Sequence, residues 1–376
     1  MSLRSFDLLL SETIVNSVEI NSNDSSTIST STGHWVYSNE SSSPPYIFSQ
    51  KVCNNTFLHI GDCVKTAECP SDLMKWIYIK DDGNPYPRFS TPEFLQTMKN
   101  QRLMFIGCSL MRQQLLALMW TLGYENISWK TTNPPRDKKC TSSRDCFTDE
   151  NHNITFCLQF MGSIATKRYN EGNYTLDHSL RGHGDSSCLL EDSMISEIGS
   201  FDLVFVQSLM WWLNLGRILD SPSSPKEWVD RMLPTVYYDA MKKLLTSISA
   251  NTQTVFVLGH TGVSCLEKTS PEPFSVDNIP DNNGWGNSKK LWDTSLRLLS
   301  EERLDSIKVV DAREPLMQSV HAHAGSGGAA KPLKFNDCIH FCMNSAAVNM
   351  YLNIYWNEVF LQFIPVGQKN GSDPQN

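Results

Sequence analysis

A rhythm of short apolar runs, separated by longer stretches of helical spacing, constrains this chain more than any other feature. The runs are RLMFI (102–106), FDLVFVQ (201–207), TVFVLG (254–259) and IKVVD (307–311). Each has strand length and is apolar nearly throughout, the pattern of a strand buried on both faces. Helical segments lie between them, at about 226–250 and 287–302. Parallel neighbours need crossover connections of this kind, which antiparallel hairpins do not. The pattern predicts an α/β fold with three α/β/α layers and a mainly parallel sheet.

Further helices are expected around these strands. One runs from Pro92 to about Asn100, with Ser90 or Thr91 as its cap and Pro92 in its first turn. Another follows RLMFIG, carrying Leu115, Leu118, Met119 and Leu122 at helical spacing and ending at Gly123. A last helix is expected from Ser345 to about Phe363. Residues 1–32 end in NSNDSSTISTST and read as a linker or disordered segment. Residues 33–91 hold Cys53, Cys63 and Cys69 with little periodicity and read as a small cysteine-containing lobe. Residues 92–366 form the main domain, with HAHAGSGGAAKPLKFN (321–336) as a surface loop, and 367–376 read as a disordered tail.

Composition narrows the partners and the compartment. The net charge is −8 with no basic block, which argues against nucleic acid, since phosphate neutralisation needs clustered Lys and Arg. Eleven cysteines are many for a reducing compartment, and the odd count leaves at least one thiol unpaired within a single chain. Sequons begin at Asn23, Asn39, Asn54, Asn126, Asn153, Asn173 and Asn370. Together they favour the secretory pathway. The start, MSLRSFDLLLSETIVNSV, has too short an apolar stretch for a signal peptide, and no run reaches membrane-span length. A leader or anchor outside this sequence is the expectation.

Two segments can carry chemistry. Cys108 and Ser109 sit where the 102–106 strand gives way to a helix, beyond the carboxyl end of a strand, where open α/β sheets place their sites. The helix would aim its N-terminal amides there. Ser109 is then either a nucleophile or merely the helix cap. Near the end of the chain, Asp337 and His340 stand three residues apart before the last helix. They can form a carboxylate–imidazole pair serving a serine. They can also be an ordinary surface pair. Cys338, His340 and Cys342 could alternatively ligate a metal, but four ligands are needed and no second pair stands nearby, so no metal is expected.

These segments together resemble the PC-esterase family, the trichome birefringence-like polysaccharide O-acetyltransferases of the SGNH (GDSL-like) hydrolase group. The resemblance rests on GHWV (33–36), YPRFSTPEFLQTMKNQRLMFIGCSLMRQQ (86–114), FDLVFVQSLMWW (201–212) and DCIHFC (337–342), in the family's order and spacing. It covers roughly Gly33 to Phe363 and implies an SGNH-like domain. It implies Ser109 as nucleophile with Asp337 and His340 as its triad partners. Arg112 and Gln114 match polar family residues after the nucleophile, or are simply a helix face. Gln207 aligns with a family Asn that would donate to an oxyanion, and Trp211, Trp212 and Trp285 either line a sugar cleft or pack in the core. The family transfers acetyl groups to sugar hydroxyls in the Golgi lumen and is usually membrane-anchored. No bound cofactor is implied, only an acetyl donor as co-substrate and a glycan acceptor.

This chain departs from the family pattern at three places. Cys108 replaces the Asp before the serine, Gln207 replaces the Asn, and Leu209-Met210 replace a Gly-His pair. Three functions stay open: O-acetyltransferase through a serine acyl-enzyme, acetyl esterase with water as acceptor, and a non-catalytic glycan-binding relative. Thiol catalysis by Cys108 is a fourth chemistry.

Overall fold

The computed structural model describes residues 29–30, 32–38, 75–124, 130–133, 144–160, 163–165, 169–171, 174–176, 187–189, 192–207, 226–249, 252–259, 285–304, 306–319, 322–323, 340–343 and 345–363. The strands are β1 (Ser29–Thr30), β2 (Gly33–Tyr37), β3 (Trp76–Lys80), β4 (Arg102–Gly107), β5 (Lys130–Asn133), β6 (Arg144–Asp149), β7 (Ile154–Phe160), β8 (Ser163–Ala165), β9 (Tyr169–Glu171), β10 (Tyr174–Leu176), β11 (Ser187–Leu189), β12 (Leu203–Gln207), β13 (Gln253–Leu258) and β14 (Ile307–Asp311). The helices are α1 (Thr91–Thr97), α2 (Ser109–Thr121), α3 (Asp192–Ile198), α4 (Lys226–Ser249), α5 (Trp285–Glu301), α6 (Arg313–Met317) and α7 (Ala346–Glu358), the last followed by a 3-10 turn, Phe360–Phe363.

Among the described residues, eight strands form the central sheet in the order β1-β14-β13-β12-β4-β7-β6-β5. Pairing is parallel from β1 to β7, and antiparallel where β6 and β5 extend the edge. The four apolar runs are β4, β12, β13 and β14, as their composition predicts. Strand β4 is the pivot of the winding. The chain leaves it for β7 on one side, then adds β12 on the other and continues outward through β13 and β14. Sheets of this winding usually hold their ligands beyond the carboxyl ends of the strands at the reversal, here β4 and β12.

Alternation along each strand sorts side chains into two cores. Leu103, Phe105, Leu203 and Phe205 join α2 and α7, along with Phe94 of α1. Met104, Ile106, Val204 and Val206 join α3, α4 and α5. The sheet is therefore covered on both faces, a three-layer α/β/α arrangement. Phe105 and Phe205 are register partners, and their rings stack with centroids 4.8 Å apart. Each such apolar side chain, fully buried, contributes about 2 kcal/mol through removal from water.

Strands β2 and β3, from the segment expected to be a small cysteine-containing lobe, pair with each other and lean on the main domain. Trp35 and Tyr78 belong to the α2/α7 core. Trp35 Nε1 donates to the Pro315 carbonyl of α6 at 2.7 Å. Cys53, Cys63 and Cys69 lie outside the described residues. Ser29–Thr30, placed by sequence in the linker, pair in parallel with Val310–Asp311 at the sheet edge. Among the described residues, no helix is long and apolar enough to cross a membrane.

Candidate active site

Glycine closes the end of β4 for a steric reason. A Cβ on Gly107 would stand 2.4 Å from the Gln207 carbonyl oxygen and 2.8 Å from Met111 Cβ. Only hydrogen fits where β4, β12 and the first turn of α2 converge. The chain then turns through Cys108, extended at φ −89° and ψ −159°, and its carbonyl accepts from the Arg112 amide at 3.1 Å. Cys108 is thus the residue in the cap position, and Ser109 is the first residue of the helix. The reading of Ser109 as a mere cap does not survive this geometry.

Ser109 is partly exposed and faces His340, with Oγ 2.6 Å from Nε2. The pair joins residues far apart in sequence, just beyond the carboxyl end of β4. The segment after His340 is held in several ways. Gln113, buried on α2, donates from Nε2 to the Phe341 carbonyl at 3.0 Å. The Cys342 amide donates to the Ala322 carbonyl at 2.8 Å. The Phe341 ring packs on His323 with centroids 4.4 Å apart, and Cys342 is disulfide-bonded. That disulfide removes Cys342 as a thiolate ligand for a metal. One turn of α2 therefore carries the serine and also grips the backbone beside the histidine.

The other predicted polar residues form a second, buried cluster. Gln114 Nε2 donates to Gln207 Oε1 at 2.6 Å. Gln207 Nε2 donates to Tyr351 Oη at 3.2 Å, and Tyr355 Oη donates to Gln114 Oε1. Burial raises the Tyr355 phenol well above its ordinary range, keeping it a donor. Gln207 occupies space that Gly259 leaves open: a Cβ there would come within 1.7 Å of Gln207 Nε2. The longer amide of this chain is thus accommodated by a glycine at the end of the neighbouring strand. Arg112 holds its guanidinium over the ring of Phe160, 5.5 Å from the centroid, at the carboxyl end of β7. Asp337, Trp211 and Trp212 lie outside the described residues, as does the side chain of Trp285.

Cys108 is buried at 2% exposure and is free of any disulfide. Burial pushes its thiol up, outweighing hydrogen bonds to Leu110 and Ser109 that lower it. A nucleophilic cysteine needs the thiolate and access to substrate. Neither condition holds for Cys108. Gln113, Tyr351 and Gly259 were not singled out from sequence. Their partners lie on other elements, and a lone Gln or Tyr in a helical pattern carries no signal of such a contact.

Comparisons with known proteins bear on this site. Residues 86–361 match the model of the PC-Esterase family, described as a GDSL/SGNH-like acyl-esterase family found in Pmr5 and Cas1p. The chain is 23% identical over 332 residues to Xyloglucan O-acetyltransferase 1 of Arabidopsis thaliana, covering 81% of this chain and 73% of that protein. It is 23% identical over 350 residues to Xylan O-acetyltransferase 6 of Oryza sativa subsp. japonica, covering 83% and 59%. To Xylan O-acetyltransferase 13 of the same plant it is 30% identical over 372 residues, covering 89% and 69%. The matched span takes in the strand ends, the Ser109 turn and the His340 segment, and it shows that this chain belongs to the PC-esterase family of GDSL/SGNH-like acyl-esterases.

Proposed function

We propose that the protein is a polysaccharide O-acetyltransferase working through an acetyl-Ser109 intermediate. The observation that carries this reading is the 2.6 Å contact of Ser109 Oγ with His340 Nε2 at the amino end of α2. In the first half-reaction, His340 takes the Ser109 hydroxyl proton as the oxygen attacks the acetyl carbonyl of a donor. The negative charge that develops on the carbonyl oxygen is met by the Ser109 amide and the positive end of α2. We assign the second donor to the Nε2 hydrogen that Gln207 keeps after serving Tyr351. His340 returns its proton to the leaving group. In the second half-reaction it takes a proton from a sugar hydroxyl, which attacks acetyl-Ser109; the acyl–Oγ bond breaks and His340 returns the proton to Ser109 Oγ as the acetylated sugar leaves.

Asp337 is assigned to the Nδ1 side of His340, fixing the tautomer and stabilising the imidazolium. Gln113 fixes the backbone next to the base and acts as a positioning residue. Arg112 and the tryptophans Trp211 and Trp212 are assigned to acceptor binding. The names of the relatives favour a plant cell-wall polysaccharide of the xyloglucan or xylan class as acceptor. The acetyl donor is a co-substrate. The Cys146–Cys157 disulfide and the bonded Cys342 favour an oxidising lumen, and we assign the protein to the Golgi or secretory pathway on that basis.

The test is transfer. Purified protein with an activated acetyl ester should move acetyl groups onto xyloglucan or xylan oligosaccharides, read by mass spectrometry of the sugars. Hydrolysis of the ester with no sugar acetylated would make it an esterase instead. Neither reaction, in folded protein, would sink the enzymatic reading.

A further inference from the structure

We propose that Asn153 carries an N-linked glycan, at the end of the sheet opposite the Ser109–His340 pair. The proposal rests on the lumenal reading given above and adds a site to it. Asn153-Ile154-Thr155 is a sequon, and the acceptor asparagines of the remaining sequons lie outside the described residues. Asn153 is exposed in the turn between β6 and β7, with φ at +54°. Asn tolerates this left-handed conformation better than most residues. Ile154, by contrast, is fully buried and starts β7, so the sequon is anchored at its centre and open at its acceptor.

The acceptor nitrogen is compatible with modification. Asn153 Nδ2 donates one hydrogen to Asn100 Oδ1 at 3.1 Å. A glycosylated carboxamide keeps one N–H, so this bond can persist. In the transfer, Nδ2 attacks the anomeric carbon of a polyisoprenyl-pyrophosphate-linked oligosaccharide. The C–N bond forms, and the bond from that carbon to the pyrophosphate oxygen breaks. The lipid pyrophosphate leaves with the electron pair, and the amide proton passes to a base on the transferring enzyme.

The surroundings fit a rigid presentation. Asp149 Oδ2 accepts from Tyr124 Oη, and it meets His152 Nδ1 at 2.6 Å. The Asn100 amide donates to the His152 carbonyl at 3.1 Å. Four residues beyond Asn153, Cys157 is joined to Cys146 across the hairpin. Thr155 pairs with Arg102 and Phe160 with Gly107, so Asn153 lies beyond the start of β4 while Ser109 follows its end. At about 3.3 Å per strand residue the two are on the order of 20 Å apart. A glycan there stands clear of the Ser109–His340 pair.

The experiment uses the full chain secreted from a eukaryotic host behind a supplied leader. Peptide-N-glycosidase treatment in 18O-water converts an occupied Asn to labelled Asp, and peptide mass spectrometry reads each sequon. Label at Asn153 is expected. The variants Thr155→Ala and Asn153→Asp should each lose one glycan in intact mass, with acetyl transfer unchanged, whereas Thr155→Ser should keep it. Secreted, folded protein with Asn153 unlabelled would overturn the site while leaving the compartment reading intact. Protein from native tissue with Cys146 and Cys157 reduced would overturn the compartment reading itself.

Discussion

Cys108 and Ser109 are neighbours with opposite fates, and the difference is burial. The thiol is sealed between the sheet and the second core, while the hydroxyl meets an imidazole. Cys108→Ala should therefore keep most of the acetyl transfer, and Ser109→Ala should abolish it without unfolding the chain, as read by turnover beside circular dichroism. Gln113 gives a second expectation at this scale. Gln113→Leu removes the donor to the Phe341 carbonyl and loosens the segment that aims His340. We expect kcat to fall about tenfold, on the order of 1.4 kcal/mol, with KM unchanged, because the change touches a step rather than binding. A change in KM alone would contradict the positioning role. The meeting of Ser109 with His340 was legible in sequence because the turn after an apolar strand and the Asp-x-x-His segment resemble a known family. Gln113 was not, because its partner is a backbone carbonyl, which any sequence supplies.

Strand ends rather than whole elements decide how the site is assembled. Gly107, Gln207 and Gly259 terminate or follow adjacent strands, and the Gln207 amide fills the space Gly259 leaves. Gly259→Ala should displace that amide and break its bonds to Gln114 and Tyr351. Loss of a single oxyanion donor costs about 10²–10³ in kcat, so kcat should fall by about that factor. Tyr351→Phe should cost far less, since Gln114 still holds the amide. Equal losses in the two variants would mean that the network serves stability alone. The β4, β12, β13 and β14 strands were legible because apolar runs buried on both faces are distinctive. The β6–β7 hairpin was not, since RDCFTDENHNITFCLQF mixes polar and apolar residues and its turn has no glycine. Its disulfide spans a separation of 11 residues. In the chain-entropy picture the closed loop is worth about 3 kcal/mol. The double change Cys146→Ala with Cys157→Ala should lower unfolding stability by about that amount, measured in denaturant. No change would mean that the strand pairing alone fixes the hairpin.

The described residues form a three-layer arrangement in which the winding reverses at β4, and the Ser109–His340 pair lies beyond the carboxyl end of that strand. The protein's acid stability should show one identifiable contribution. Burial raises the Asp149 carboxyl, but hydrogen bonds with Tyr124, His152 and the Asn151 amide outweigh it and leave the group below its ordinary value. The unfolded chain then binds the proton more readily. The stabilisation is present above the unfolded value and is lost as pH falls through the folded one. Asp149→Asn should flatten the acid limb of the stability curve relative to the native chain. An unchanged limb would place the acid sensitivity elsewhere. The fold class was legible from alternation alone. How β2 and β3 dock on α6 was not, because that contact joins Trp35 to the Pro315 carbonyl across most of the chain. The central claim is that acetyl passes through Ser109, and the most direct measurement is the acetylated enzyme itself. Brief incubation with an activated acetyl ester, acid quench and peptide mass spectrometry should find one acetyl group on Ser109, absent in Ser109→Ala and greatly reduced in His340→Ala. Acetyl on Cys108, or undiminished turnover in Ser109→Ala, would contradict it.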